Sequence, residues 1–260
     1  MRRPRVLIVR APGTNCDKET EFAFEQAGGA PVPVHINRLL ENPNLPLEFE
    51  ILCIPGGFSY GDDIAAGRIL ANQIRHHLAE ALGEFRDAGK LILGICNGFQ
   101  VLMKSGMLLP ASPDGQSIAT LTDNDSGKFE DRWVHLAVST ANCVFLSDIE
   151  SMYLPIAHAE GKFVGRDAQT IEQLERDGQL ALRYTTGNGN GEVDYPANPN
   201  GSMQNVAAVC DQSGRVFGLM PHPERHIDPT QHPRWTRGEG QHIGDGLKVF
   251  ENAVEYFSAW

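Results

Sequence analysis

The chain has 260 residues, 41% of them hydrophobic, which is enough for one large α/β domain or two small ones and too apolar for disorder. With 33 acidic residues against 22 basic, the net charge is -11. That excludes a general polyanion or nucleic-acid binder, because phosphate contacts need clustered Lys and Arg.

Taken in order, Val6–Val9 predicts a buried strand. Asn15 to Glu19 offers a cap and first-turn acids for a helix through Gln26. Val32–His35 and Ile51–Ile54 predict further strands. Between Gly67 and Gly89 the residues Leu70, Ile74, Leu78, Leu82 and Phe85 recur at helical spacing, and Gly89 supplies a stop. Leu91–Ile95 is again a near-continuous apolar run, and Phe99, Leu102 and Met103 form a helix face after it. Strands without polar alternation, separated by helices, imply a parallel sheet covered on both faces. The later half reads differently. Arg132–Ser139, Gln179–Thr185, Asn205–Cys210 and Val216–Met220 predict strands joined by Gly-, Asn- and Pro-rich turns, among them Asn188–Gly191. A mixed or antiparallel extension is expected there, closed by an amphipathic helix from Gly246 to Tyr256. No repeat or linker interrupts the chain, so residues 1–260 read as one domain.

Five widely spaced cysteines, Cys16, Cys53, Cys96, Cys143 and Cys210, form no C-x-x-C pair. No leader-like segment or membrane-length apolar run is visible. A reducing, cytoplasmic setting is expected. Cys53, Cys143 and Cys210 are expected in apolar strands and read as core thiols, and Cys16, in the loop after the first strand, as a structural or incidental one.

Cys96 differs. Gly94-Ile95-Cys96-Asn97-Gly98 has the G-x-nucleophile-x-G form of a strand-to-helix elbow. Glycines on either side admit the close approach that such a turn needs, and the helix N-terminus stabilises a thiolate. The backbone N–H of Asn97 would point at a developing oxyanion. A thiol nucleophile needs a base. His222 follows the apolar run Val216–Met220, and Glu224 is placed to hold its imidazole in one tautomer. A structural histidine and a metal pair with His226 are the alternatives, although Pro223 lies between the two histidines and the spacing is not that of H-E-x-x-H. No metal is expected. His76, His77, His232 and His242 read as surface residues. In "CIPGGFSYGDD", Cys53 to Asp63, the Gly56-Gly57 pair after a strand can turn N–H groups toward a reacting carbonyl.

These pieces, in this order, resemble the class I glutamine amidotransferases. "PGGFSYGDD", "GICNGFQ", "NDSGKFEDRW", "NPNGS" and "MPHPERH" are most similar to the glutaminase subunits of phosphoribosylformylglycinamidine synthases. The likeness runs from "RAPGTNCDKET" to "DGLKVFENAVEYF". It implies a flavodoxin-like α/β sandwich with a mostly parallel central sheet and an antiparallel extension. It further implies Cys96, His222 and Glu224 as a triad that hydrolyses glutamine through a glutamyl thioester. Gly57 and Asn97 would form the oxyanion hole. Gln100, His158, Glu160 and Gly161 would hold the substrate, although Ala159 stands where the family pattern has glycine. Asn124 and Ser126 line the site or a partner contact, unless they form an exposed turn. The resemblance implies no cofactor in this chain; ATP and Mg would sit on a large synthetase subunit, with a small third subunit in the complex. The sequence agrees in lacking a phosphate loop of the G-x-x-x-x-G-K-[ST] type, and "GEGQHIG", Gly238–Gly244, reads as a loop. Another cysteine hydrolase on the same fold, a non-catalytic subunit, or an amidotransferase serving a different synthetase are the competing readings.

Overall fold

The computed structural model describes residues 3–62, 64–187, 192–239 and 243–258; the turn predicted at Asn188–Gly191 and His242 lie outside them. The chain opens with β1 (Arg5–Arg10), α1 (Asp17–Gln26), β2 (Ala30–His35), α2 (Ile36–Glu41) and β3 (Ile51–Ile54). A long helical stretch follows: α3 (Arg68–Gln73), a wider turn at Ile74–Leu78, and α4 (Ala79–Asp87). Next come β4 (Leu91–Ile95), α5 (Asn97–Ser105), β5 (Ala119–Thr122), β6 (Glu130–Val138), β7 (Ser151–His158) and β8 (Lys162–Gly165). The chain finishes with α6 (Ala168–Arg176), β9 (Leu180–Thr185), β10 (Val206–Cys210), β11 (Val216–Leu219) and α7 (Leu247–Tyr256).

One nine-stranded sheet has the order β2-β1-β3-β4-β11-β10-β9-β6-β7. Its first five strands run parallel, in the 2-1-3-4-5 arrangement of flavodoxin-like folds. From β11 to β7 every pairing is antiparallel. The antiparallel part is thus as long as the parallel one. β5 and β8 form a separate two-stranded ladder.

Successive strand residues point to opposite faces. Every residue of β3, β4, β10 and β11 is buried, so both faces of the centre are covered. Helices α3 and α5 pack on one another, and α5 reaches β3, β4 and β11; α1 packs with α7 and with β1.

Most predicted elements appear within a residue or two of their expected limits. Two local expectations do not hold. Asn15 does not cap α1: Cys16 occupies the cap position without a side-chain cap bond. Cys143 lies in no strand but ahead of a short turn, Val144–Leu146. The sequence reading also missed α2, α6, β5, β7 and β8. For β7 the reason is Pro155, which interrupts a run that otherwise alternates buried and partly buried. β7 is last in the sheet order, where a strand can lack one N–H.

Candidate active site

The carboxyl ends of the parallel strands converge on one point, as ligand sites in open α/β sheets do. Cys96 sits between β4 and α5 with φ 50 and ψ -105, a left-handed conformation that a side-chain-bearing residue adopts only when its surroundings enforce it. The enforcement is visible. Cys96 N donates to the Leu219 carbonyl at 2.8 Å, and the Cys96 carbonyl accepts from Gln100 N at 3.1 Å. A Cβ at position 98 would stand 1.8 Å from the Ile54 carbonyl oxygen, so α5 starts hard against β3 only because Gly98 has none. The strain turns the thiol toward the Ala157 carbonyl, 3.6 Å from Sγ. The side chain is 5% exposed.

His222 follows the end of β11, ahead of a short turn at Pro223–Arg225, and is 2% exposed. Its backbone N–H donates to the Pro155 carbonyl at 2.8 Å, and its Nδ1 meets Glu224 Oε1 at 2.6 Å. The unexpected strand β7 therefore carries two carbonyls into the site. Burial by itself pulls the His222 imidazole down. The Glu224 carboxylate and the neighbouring Cys96 and Cys16 thiols together outweigh it and hold the ring well above its ordinary pKa. Nε2 of His222 is buried without a protein partner, as is Oε2 of Glu224. His226 turns elsewhere: its Nδ1 donates to the Tyr153 carbonyl at 2.8 Å and its ring packs edge-on against Trp133.

The loop after β3 is held by the loop after β1. Phe58 N donates to the Gly13 carbonyl at 2.9 Å, and Thr14 and Gly57 form an isolated antiparallel bridge. Gly57 has φ 138, and a Cβ there would lie 2.7 Å from Asn15 N. Asn97 opens α5; its side chain accepts from Ser59 N at 3.2 Å and donates to Gln100 Oε1 at 3.0 Å. The two predicted oxyanion donors thus lie on segments tied to each other.

The residues expected to hold substrate form a connected shelf. Gln100 Nε2 donates to the Glu160 carbonyl at 2.6 Å. Glu160 accepts from Ala66 N at 3.1 Å and from Lys104 at 3.3 Å. His158 Nδ1 faces Asn124 Oδ1 at 3.1 Å, and the same oxygen accepts from Gly161 N at 3.1 Å. Asn124 is buried and organises this turn, whereas Ser126 is exposed. Burial first, then the charge of His222, push the His158 imidazole down to about 3, so it is neutral beside the site.

Cys16 also arrives here, which sequence reasoning did not foresee. One ligand-type atom each of Cys16, His222 and Glu224 lies within 4.8 Å of the others. Nothing local in the sequence marks this, because the approach depends on β1 and β11 flanking β3 and β4. Burial raises the thiol pKa of Cys16, Cys53 and Cys143. Cys96 is accordingly expected to be alkylated by iodoacetamide at neutral pH well before Cys53 and Cys143. Peptide mass mapping checks this; equal labelling would contradict it.

A strained thiol and a buried, carboxylate-backed imidazole define a class of protein, the amide hydrolases that work through a thioester. Comparison with known proteins narrows the class. A model of the CobB/CobQ-like glutamine amidotransferase domain matches residues 3–257. The chain is 49% identical over 257 residues to phosphoribosylformylglycinamidine synthase subunit PurQ of Dehalococcoides mccartyi, covering 98% of both chains. Over 267 residues it is 42% identical to the subunit of the same name in Methanococcus maripaludis, again covering 98% of each. Among solved structures, a chain of the PurLQS structure from Thermotoga maritima superposes with a TM-score of 0.74 at 34% identity, over 98% of this chain and 100% of that one. The chain belongs to the glutamine amidotransferase family, among its phosphoribosylformylglycinamidine synthase PurQ subunits.

Proposed function

We propose that the chain hydrolyses glutamine to glutamate and passes the ammonia to a synthetase subunit, which amidinates formylglycinamide ribonucleotide at the expense of ATP in purine biosynthesis. The His222–Glu224 contact of 2.6 Å beside the strained Cys96 carries the catalytic part of this reading. Cys96 gives its proton to His222 Nε2, which the raised pKa of the ring favours, and the thiolate attacks the side-chain amide carbon. The oxygen becomes an anion facing the backbone N–H groups of Gly57 and Asn97. His222 returns the proton to the amide nitrogen, the C–N bond breaks, and ammonia leaves a thioester on Cys96. Water, deprotonated by His222, attacks the thioester; glutamate departs and the thiol is restored. Glu224 keeps Nδ1–H engaged, so Nε2 faces the chemistry throughout. The shelf of Gln100, His158, Glu160 and Gly161 shapes the pocket for the substrate's amino-acid end. No step calls for a metal or cofactor on this chain.

The partners follow from the relatives. The Thermotoga structure is named PurLQS, and the curated relatives are named as subunits. We assign this chain a large synthetase partner, which would hold ATP and Mg, and a small third subunit. Phe58 and Phe129 support a protein surface beside the site. They are 45% and 49% exposed with ring centroids 6.4 Å apart. Phe58 directly follows Gly57, and Phe129 precedes Glu130, the register partner of His158. Among the described residues no helix is long and apolar enough to cross a membrane.

Glutamate release, measured with and without the synthetase subunit, tests the proposal. Slow release by the chain alone and faster release with its partner is the expected result, since unshared ammonia wastes glutamine. Equal rates would remove the partner-controlled part of the reading, and no release in either condition would remove the glutaminase itself.

A further inference from the structure

We infer that Cys16 is a positioning residue for the His222 imidazole, held against the ring by Arg225. It goes beyond the triad, and for its kinetic consequence it rests on the glutaminase reading.

Two observations place the thiol on the ring. Cys16 Sγ and a ring nitrogen of His222 lie within 4.8 Å of each other. A Cβ on Gly56 would stand 2.9 Å from His222 Cε1 and 3.0 Å from Cys16 Sγ, so both atoms border the space left by the missing Cβ. A third observation says what fixes the thiol. Arg225 Nη2 donates to Cys16 Sγ at 3.2 Å, while Arg225 Nε donates to Glu19 Oε1 at 2.9 Å. Cys16 precedes α1 and Glu19 lies in its first turn, so one helix start grips two neighbouring donors of the guanidinium. Cys16 Sγ in turn donates to Asn15 Oδ1 at 3.2 Å.

The arrangement answers a problem that the "HPER" sequence creates. Arg225 directly follows Glu224, and a guanidinium is the preferred bidentate partner of a carboxylate. Were it to take Glu224, His222 would lose its orienting group. Glu19 and the sulfur of Cys16 occupy the guanidinium instead. A neutral sulfur suits this place. It accepts from Arg225 and lies beside the imidazole without adding a second anion to compete with Glu224. Burial, the largest influence on this thiol, raises its pKa and keeps it protonated, so it is no second nucleophile.

Cys16→Ala, Cys16→Ser and Arg225→Lys test the inference on the full chain. In Cys16→Ala, kcat for glutamine hydrolysis should fall about tenfold with KM within about twofold, inside the range that small misplacements of a catalytic group cost. Cys16→Ser keeps an acceptor for Arg225 and should recover most of the loss. Arg225→Lys cannot grip Glu19 and Cys16 together and should reproduce it.

The rate of Cys96 alkylation against pH gives a readout that needs no substrate. The groups facing His222 are Glu224 and Arg225 from its own turn, Cys96 from the elbow, Cys16 from the loop after β1, and His158 from the end of β7. Without Cys16 the ring loses a partner that holds its proton, and the alkaline limb should move to lower pH. An unmoved profile in Cys16→Ala, or equal losses in Cys16→Ala and Cys16→Ser that track a lowered unfolding midpoint, would overturn the inference and leave Cys16 a packing residue. A wild-type chain that hydrolyses no glutamine, together with a profile that still shifts in Cys16→Ala, would instead sink the glutaminase reading and keep this one.

Discussion

Replacing Cys96 with alanine is expected to cut glutamate release by about 10⁴-fold or more, because a thioester route has no other first step here. Cys16, although it shares the imidazole, cannot substitute. Its sulfur is pinned between Arg225 and Asn15, and its burial keeps it a thiol. The variant should fold. Removing Sγ gives up one 3.6 Å contact with the Ala157 carbonyl, and the backbone bonds of residue 96 to Leu219 and Gln100 remain. Glutamate release assayed alongside the unfolding midpoint separates the two effects. Release within tenfold of wild type, at an unchanged midpoint, would refute the thioester route and point to direct attack by water.

The elbow was legible in the sequence because its determinants are local. Two glycines, a cysteine and a strand–helix boundary all fall within "GICNG", although the atoms that require a bare Gly98 belong to Ile54 of β3. The parallel strands were legible for a similar reason: a strand covered on both faces is apolar at every position. What stayed hidden depends on distant parts of the chain. β7 brings the Pro155 and Ala157 carbonyls to His222 and Cys96, yet its own proline reads as a strand breaker until the strand is known to be at the edge. Cys16 and Arg225 are 209 positions apart and meet only because β1 and β11 flank the same pair of strands. The proposed substrate shelf was reached by resemblance alone. Most of its polar groups bond to one another, and the exception, the buried Nε2 of His158, comes into view only in the fold. α6 was legible and overlooked: Asp167 caps it through Thr170 N, and Ile171 and Leu174 face inward at helical spacing.

Gly98→Ala should damage stability and activity together, and for one geometric reason. The added methyl would lie 1.8 Å from the Ile54 oxygen and 2.7 Å from its carbonyl carbon. Both are backbone atoms, so no rotamer change relieves the clash; α5 or β3 must move. Overpacking of this kind costs about 3 kcal/mol, toward the upper end of its usual range. The movement also falls where the site can least absorb it. Ile54 ends the strand that leads into Gly56-Gly57, and Gly98 is two residues from Cys96. Separating α5 from β3 therefore separates the two proposed oxyanion donors from each other, and activity should fall by about 10²-fold even in the folded fraction. Gly83→Ala is the matched control. Gly83 lies within α4 with nothing within 4 Å of the added Cβ, so the same substitution should raise stability by up to about 1 kcal/mol through helix propensity. Denaturant unfolding of both variants, with glutamate release on the folded protein, decides the matter. A Gly98→Ala protein as stable and active as wild type would show that the start of α5 does not depend on the bare backbone at residue 98, and that Cys96 owes its strained conformation to something other than the contact between α5 and β3.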